Sequence, residues 1–300
     1  PEPQPQALIE RLAALYGVAE ERVLLGRGSD EAIDLLVRAF CRAGQDAVLV
    51  CPPTFGMYAV AARIQGAQVE SVPLLRARGF ALDVDALLAR CAPQVKLVFL
   101  CSPNNPTGNL LDRAAMLHIA RSLAQRAIVV VDEAYLDFAA APGVSDALEE
   151  LPNLAVLRTL SKAHGMAGAR VGALLAHPQI VTLLRKIIPP YALAQLTIEA
   201  GLRALEAPQL ATVRARVAQI IAERERLATG LRATRAVSQL WPSDANFLLA
   251  EFHDADAALA RAAAAGLLVR DCRKGFGLER SLRITVGTPE QNERLLAALT

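Results

Sequence analysis

A chain of 300 residues is too long for one small core, which predicts one large or two unequal domains. Its apolar share of 53% can fill buried sheets, yet no run reaches the roughly 18 to 20 uninterrupted apolar residues of a membrane span and no basic-then-apolar leader opens it; a cytoplasmic protein with no membrane partner is expected. The 32 basic and 30 acidic residues are interspersed, leaving a formal net charge of +2, which argues against a nucleic-acid partner and for small-molecule chemistry.

Five cysteines, without a Cys-x-x-Cys pair, and four scattered histidines predict reduced, mostly buried thiols and no metal site. The first element is a helix over 6–16, with Leu8, Ile9, Leu12 and Leu15 at helical spacing and Gly17 as its stop. A short strand over 22–25 leads through Gly26-Arg27-Gly28-Ser29-Asp30-Glu31 into a helix that carries Ile33, Leu36, Val37 and Phe40 on one face. Free amides at such a helix start make either an anion seat or an ordinary capped helix. It is not the dinucleotide fingerprint, because Glu31 stands where the third glycine belongs.

Strands over 47–50, 68–73, 96–101, 127–131, 154–160 and 170–175 then alternate with helices over 57–64, 84–90 and 113–123. Runs such as Val95 to Leu100 are apolar on both faces, as strands sandwiched between helices must be, so the fold class is α/β with a mostly parallel sheet. After Pro189-Pro190 the pattern turns to long amphipathic helices over 196–231. A second α/β unit follows, with strands over 236–240, 246–252, 267–270 and 281–286, a helix over 255–265 and a last helix from Pro289. The expected division is a large domain over 15–193 and a smaller one over 194–300, with 1–14 packing on the smaller.

In parallel sheets ligands sit at the carboxyl ends of the strands, and four polar clusters fall there. They are Pro52 to Phe55, Ser102 to Gly108, Asp132 to Tyr135, and Ser161-Lys162. A lysine in a partly dry pocket has its charged form disfavoured and can attack an aldehyde. Thr159, Ser161 and Arg170 beside it suit a phosphate, because a guanidinium fork and two hydroxyls satisfy several oxygens. An aldehyde bearing a phosphate describes pyridoxal phosphate. Taken alone, Lys162 and Arg170 read equally well as a solvated loop lysine and a surface cation. Asp132, ending a buried strand, needs a cation, which a protonated pyridine nitrogen or a salt bridge can supply. Tyr135 and Asn105 can donate to the ring's phenolic oxygen or be a core tyrosine and a turn former, and Phe55 can stack on the ring or be plain core.

The segments GRGSDE, CPPTFGMY, CSPNNPTG, VVVDEAY, RTLSKAHGMAGARVG and LRITVGT together resemble the fold type I pyridoxal-phosphate aminotransferases, and among them the branch that acts on histidinol phosphate. The likeness spans essentially the whole chain, and SPNNPTG, DEAY and SKA-x-x-x-AG-x-R in this order are its most specific part. It implies an aspartate aminotransferase-like fold with a seven-stranded type of sheet, pyridoxal phosphate as cofactor, and a homodimer. It implies reversible transamination between L-histidinol phosphate and 2-oxoglutarate, yielding L-glutamate, in L-histidine biosynthesis. Runners-up are a decarboxylase of phosphate-bearing amino acids, an aminotransferase of broader aromatic range and, from another class, a cofactor-binding regulator, for which no DNA-binding helix pair is visible.

Residue by residue, the resemblance implies Lys162 as the Schiff-base lysine and proton shuttle, Asp132 as partner of the ring nitrogen, and Asn105 and Tyr135 as partners of the phenolic oxygen. The Ser29 and Asp30 amides, with Thr159, Ser161 and Arg170, would hold the cofactor phosphate. Phe55 stands where the family usually has tyrosine, which keeps the stacking and loses a hydroxyl. Arg283 would bind the substrate's anionic group with Arg270 assisting; without the resemblance, both read equally as salt-bridge residues. The remaining lysines, Lys96, Lys186 and Lys274, are expected on segments away from these loops. The resemblance also implies an N-terminal arm ahead of Pro1, with a tyrosine reaching the cofactor phosphate of the partner subunit.

Overall fold

Strands that are apolar on both faces must be covered on both, and in the computed structural model, which describes residues 2–300, they are. The first helix and strand are α1 (Gln6–Tyr16) and β1 (Val23–Gly26). Four helix–strand pairs follow: α2 (Ser29–Phe40) with β2 (Ala47–Val50), α3 (Met57–Gln65) with β3 (Gln68–Ser71), α4 (Val84–Arg90) with β4 (Val95–Cys101), and α5 (Arg113–Ser122) with β5 (Ile128–Asp132). Next come β6 (Leu154–Thr159) and β7 (Gly172–Ala176). These seven strands form one sheet in the order β1-β7-β6-β5-β4-β2-β3. Only β7 runs against the others, pairing antiparallel with β6 and β1. One apolar cluster, containing Val98, Val129 and Val156, lies on one face, and a second, containing Val48, Phe99 and Val130, lies on the other.

Two details differ from the sequence expectation here. Arg170 does not begin a strand: its φ of 56° is left-handed, and β7 starts only at Gly172. Residues 1–14 were expected on the smaller unit, and α1 lies against both: Leu8, Ile9 and Leu12 join the core of the large sheet while the helix also packs on residues 195–204. Just ahead of α1, the Gln4 side chain donates to Leu25 O at 3.1 Å and accepts from Leu25 N at 2.9 Å, occupying the free edge of β1 as another strand would.

The sequence reading missed α6 (Pro178–Arg185), which starts with Pro178 in its first turn and His177 Nδ1 accepting from Gln179 N. Next, α7 (Gln195–Ala204) packs on α1, and α8 (Ala207–Ala233) leads into the second unit. That unit comprises β8 (Val237–Leu240), β9 (Phe247–Phe252), α9 (Ala255–Ala264), β10 (Arg270–Asp271), β11 (Ser281–Thr285) and α10 (Pro289–Leu299). Its sheet is antiparallel throughout, ordered β10-β11-β9-β8. The strand expected over 267–270 shrinks to Arg270–Asp271, because only these two residues find partners on β11.

Alternation along the strands of this unit decides what faces the large sheet. Leu248, Ala250, Leu282 and Ile284 bury against α8, α9 and α10, whereas Phe247 packs with Tyr135 and Ala163 of the large unit. Arg283, between Leu282 and Ile284, therefore points the other way, toward the large sheet. Among the described residues no helix is long and apolar enough to cross a membrane.

Candidate active site

At the carboxyl ends of β1, β2, β4, β5 and β6 the chain leaves a cleft of about 670 Å³, closed on the far side by the β10–β11 hairpin. All twelve residues singled out in the sequence line it.

The first wall is the start of α2. Gly28 has φ 79° and caps the helix without a side-chain bond, leaving the first-turn amides to the cleft. Arg170 reaches over them: its guanidinium pairs with Asp30 at 3.0 Å and approaches Ser161 Oγ at 3.5 Å. Thr159 donates its hydroxyl to Ser161 Oγ at 2.9 Å, so the two hydroxyls and the guanidinium form one polar corner. Position 28 favours glycine, because its φ of 79° is one that other residues rarely adopt and a Cβ there would stand 2.5 Å from Arg170 Nη2, which would have to move. Gly28→Ala is therefore expected to push Arg170 off the corner and raise the Kd for pyridoxal phosphate roughly tenfold, or about 1.4 kcal/mol, in a fluorescence titration.

The floor is Asp132. It and Glu133 are adjacent buried acids that point to opposite sides of the sheet and meet opposite environments. Glu133 has a cation of its own, Arg158 at 3.1 Å, and accepts Val144 N–H at 2.7 Å. Asp132 has only neutral donors: Tyr58 O–H at 2.7 Å on Oδ2 and Ala134 N–H at 3.1 Å on Oδ1. Burial pushes its carboxyl above the ordinary carboxylate range, and those two donors offset the rise only in part. No cation is bonded to this carboxylate, and one arriving from the cleft would favour its charged form.

Lys162 follows β6, its Nζ 5.0 Å from the centroid of the Tyr135 ring. Tyr135 is itself fixed by an edge contact to Phe247, ring centroids 5.0 Å apart. From the opposite wall Arg283 donates to Asn105 Oδ1 at 2.6 Å, with its guanidinium 4.8 Å from the Phe247 ring centroid and its Nε buried without a partner. Arg270 sits opposite Arg283 in the β10–β11 register, so both lie on the cleft face of the hairpin.

The donor set matches pyridoxal phosphate group by group. The polar corner suits the phosphate, Asp132 the ring nitrogen, Asn105 and Tyr135 the phenolic oxygen, Lys162 the aldehyde, and Phe55 a ring face. Two further residues escaped the sequence reading. Tyr58 is the second residue of α3, and Phe55, just ahead of that helix, meets its ring edge to face at 5.6 Å between centroids. Lys274, expected away from the site, lines the cleft, because the loop between β10 and β11 folds back over it. Its position between Arg270 and Arg283 was the signal in the sequence.

The chain belongs to the family of class I and II aminotransferases, whose pattern matches residues 1–299. It is 50% identical over 301 residues to the histidinol-phosphate aminotransferase of Xylella fastidiosa (strain 9a5c), covering 100% of this chain and 82% of that protein. The crystal structure of histidinol-phosphate aminotransferase from Sinorhizobium meliloti in complex with pyridoxal-5'-phosphate superposes with a TM-score of 0.89 at 25% identity, covering 100% of this chain and 81% of that one. L-threonine-O-3-phosphate decarboxylase from Porphyromonas gingivalis gives a TM-score of 0.85 at 25% identity, covering 100% and 89%.

Proposed function

We propose that this chain is a pyridoxal-phosphate-dependent transaminase that moves the amino group of L-histidinol phosphate to 2-oxoglutarate, giving imidazole acetol phosphate and L-glutamate, as a step of L-histidine biosynthesis. The observation that carries the reading is the buried Asp132 with only neutral partners, set in one cleft with Lys162 and two facing arginines. The 50% identity to a protein of that name supports the substrate.

Bound in the cleft, pyridoxal phosphate supplies an aldehyde that takes up amino groups and a ring that draws electron density from the substrate's α-carbon. Every other contribution is made by the chain. Asp132 holds the ring nitrogen protonated by offering it a buried negative charge. Asn105 and Tyr135 hold the phenolic oxygen in place. The Ser29 and Asp30 amides with Thr159, Ser161 and Arg170 hold the phosphate, and Phe55 covers one face of the ring. Lys162 Nζ would hold the cofactor's aldehyde covalently and would be the base that takes and returns the proton that amino transfer requires. The small unit closes the cleft and limits water at these groups.

Arg283 and Arg270 bind the substrates' anions. One pocket must accept the phosphate of histidinol phosphate and a carboxylate of glutamate in turn, which a planar guanidinium does and an ammonium does less well. Arg283→Lys is expected to lower kcat/KM for both substrates roughly tenfold or more, while covalent attachment at Lys162 persists. Loss confined to one substrate would assign the other anion to Arg270.

With this reading go a homodimer and a cytoplasmic location. Ile64 and Leu196, 75% and 78% exposed, are apolar side chains that a second copy would cover, and all five cysteines are free thiols, as in a reducing compartment. The second reading, decarboxylation of a phosphate-bearing amino acid, is favoured by the likeness to the Porphyromonas decarboxylase. Product analysis separates the two. Incubation with pyridoxal phosphate, histidinol phosphate and 2-oxoglutarate should release glutamate and a keto product; no glutamate there, with carbon dioxide released in a parallel incubation with L-threonine O-3-phosphate, would favour decarboxylation.

A further inference from the structure

Asp132 is held from behind by the last residue of the CPPTFGMY segment, to which the sequence reading gave no role. Tyr58 is fully enclosed, its ring stacked on Phe99 at 4.7 Å between centroids with planes 5° apart, and its edge meets Phe55 at 5.6 Å. A phenol packed this way cannot swing, so the hydroxyl that donates to Asp132 Oδ2 at 2.7 Å keeps its direction. The Cys101 thiol lies beside this pair, and the charged groups acting on the carboxylate are Lys162, which favours its ionised form, and Asp30, which opposes it.

A neutral donor does here what a cation would not. An arginine in the place of Tyr58 would orient the carboxylate and also neutralise it, as Arg158 does for Glu133. A phenol orients it and leaves the charge to the cleft. Phe55, just ahead of α3, meets the Tyr58 ring edge to face, so the entry to this helix sets both the cover of the ring face and the plane of the acid at the ring nitrogen.

We propose that Tyr58 is a positioning residue of this site, fixing the plane of the Asp132 carboxylate and preserving its negative charge for the ring nitrogen of pyridoxal phosphate. The inference rests on the cofactor reading given under Proposed function. Without the hydroxyl, the desolvated acid turns more freely and holds the ring nitrogen's proton less firmly. Lys162 Nζ, when it holds the cofactor, would then be more basic.

The test compares Tyr58→Phe, which keeps the stack and removes only the hydroxyl, with the unaltered protein. Two readouts apply: the Kd for pyridoxal phosphate, and the pH midpoint of the bound cofactor's absorbance. The variant is expected to bind roughly tenfold more weakly, the loss typical of a hydrogen bond to a charged acceptor, and its midpoint is expected to move upward by about half a unit or more. In an Asp132→Asn background the same change should alter Kd by less than about threefold, because the charge it serves is gone. Equal losses in both backgrounds, or an unmoved midpoint, would make Tyr58 a packing residue and overturn the proposal. If the unaltered protein takes up no pyridoxal phosphate, the cofactor reading falls and this inference with it. If it does and Tyr58→Phe matches it on both readouts, only the inference falls.

Discussion

Lys162→Ala is expected to give a folded protein that retains no covalently attached cofactor and transfers amino groups roughly a hundred- to ten-thousandfold more slowly. The lysine does two things in the account, and alanine removes both. It bonds the aldehyde, and it carries a proton between positions no other described side chain is argued to reach. Folding should be unaffected, since Lys162 is part-exposed on a loop after β6 and Ala163 behind it supplies the buried contact. Intact-protein mass after reduction and the rate of glutamate formation are the two readouts. Retained covalent cofactor in the variant would move the attachment to another lysine.

Asp132→Asn is expected to keep pyridoxal phosphate bound through the polar corner and to slow the half-reaction with glutamate by about a hundredfold. An amide has the shape of the carboxylate but no charge, so it cannot hold the ring nitrogen protonated. Losing a charge interaction of about 3 kcal/mol corresponds to that factor. Single-turnover absorbance changes measure it, and a rate within about threefold of the unaltered protein would make Asp132 structural. Asparagine also cannot stand as an anion to Tyr58, so the 2.7 Å contact changes character in the same variant.

The large sheet was legible because its strands are buried on both faces: continuous runs such as Val95–Cys101 and Ile128–Asp132 leave little choice of element. Strand direction was not, since β7 reads the same either way and only its pairing with β6 and β1 makes it antiparallel. The apolar run Leu267-Leu268-Val269 misled for a related reason. Pairing, not composition, makes a strand: the exposed Arg270 and Asp271 find partners on β11, whereas Leu268 is 96% exposed and unpaired there. Helix α6 was overlooked although Pro178 and His177 mark its start, because Pro189-Pro190 nearby read as the boundary.

At the site, residues just past strand ends were readable because a parallel sheet delivers them to one edge. Lys274 was not, because its place depends on how the β10–β11 hairpin folds over from the second unit. Tyr58 was not, because a lone tyrosine on a helix reads as core, which it is; its hydroxyl matters through a contact with a residue 74 positions away.

The central claim is that Lys162 is the residue on which the cofactor is carried. Its most direct test is borohydride reduction of the protein loaded with pyridoxal phosphate, followed by digestion and mapping of the modified peptide. The discriminating rival is Lys274, which lines the same cleft, whereas Lys96 and Lys186 do not. The account predicts the label on the peptide containing Lys162 alone; label on Lys274, or on either of the other two with Lys162 unmodified, would contradict it.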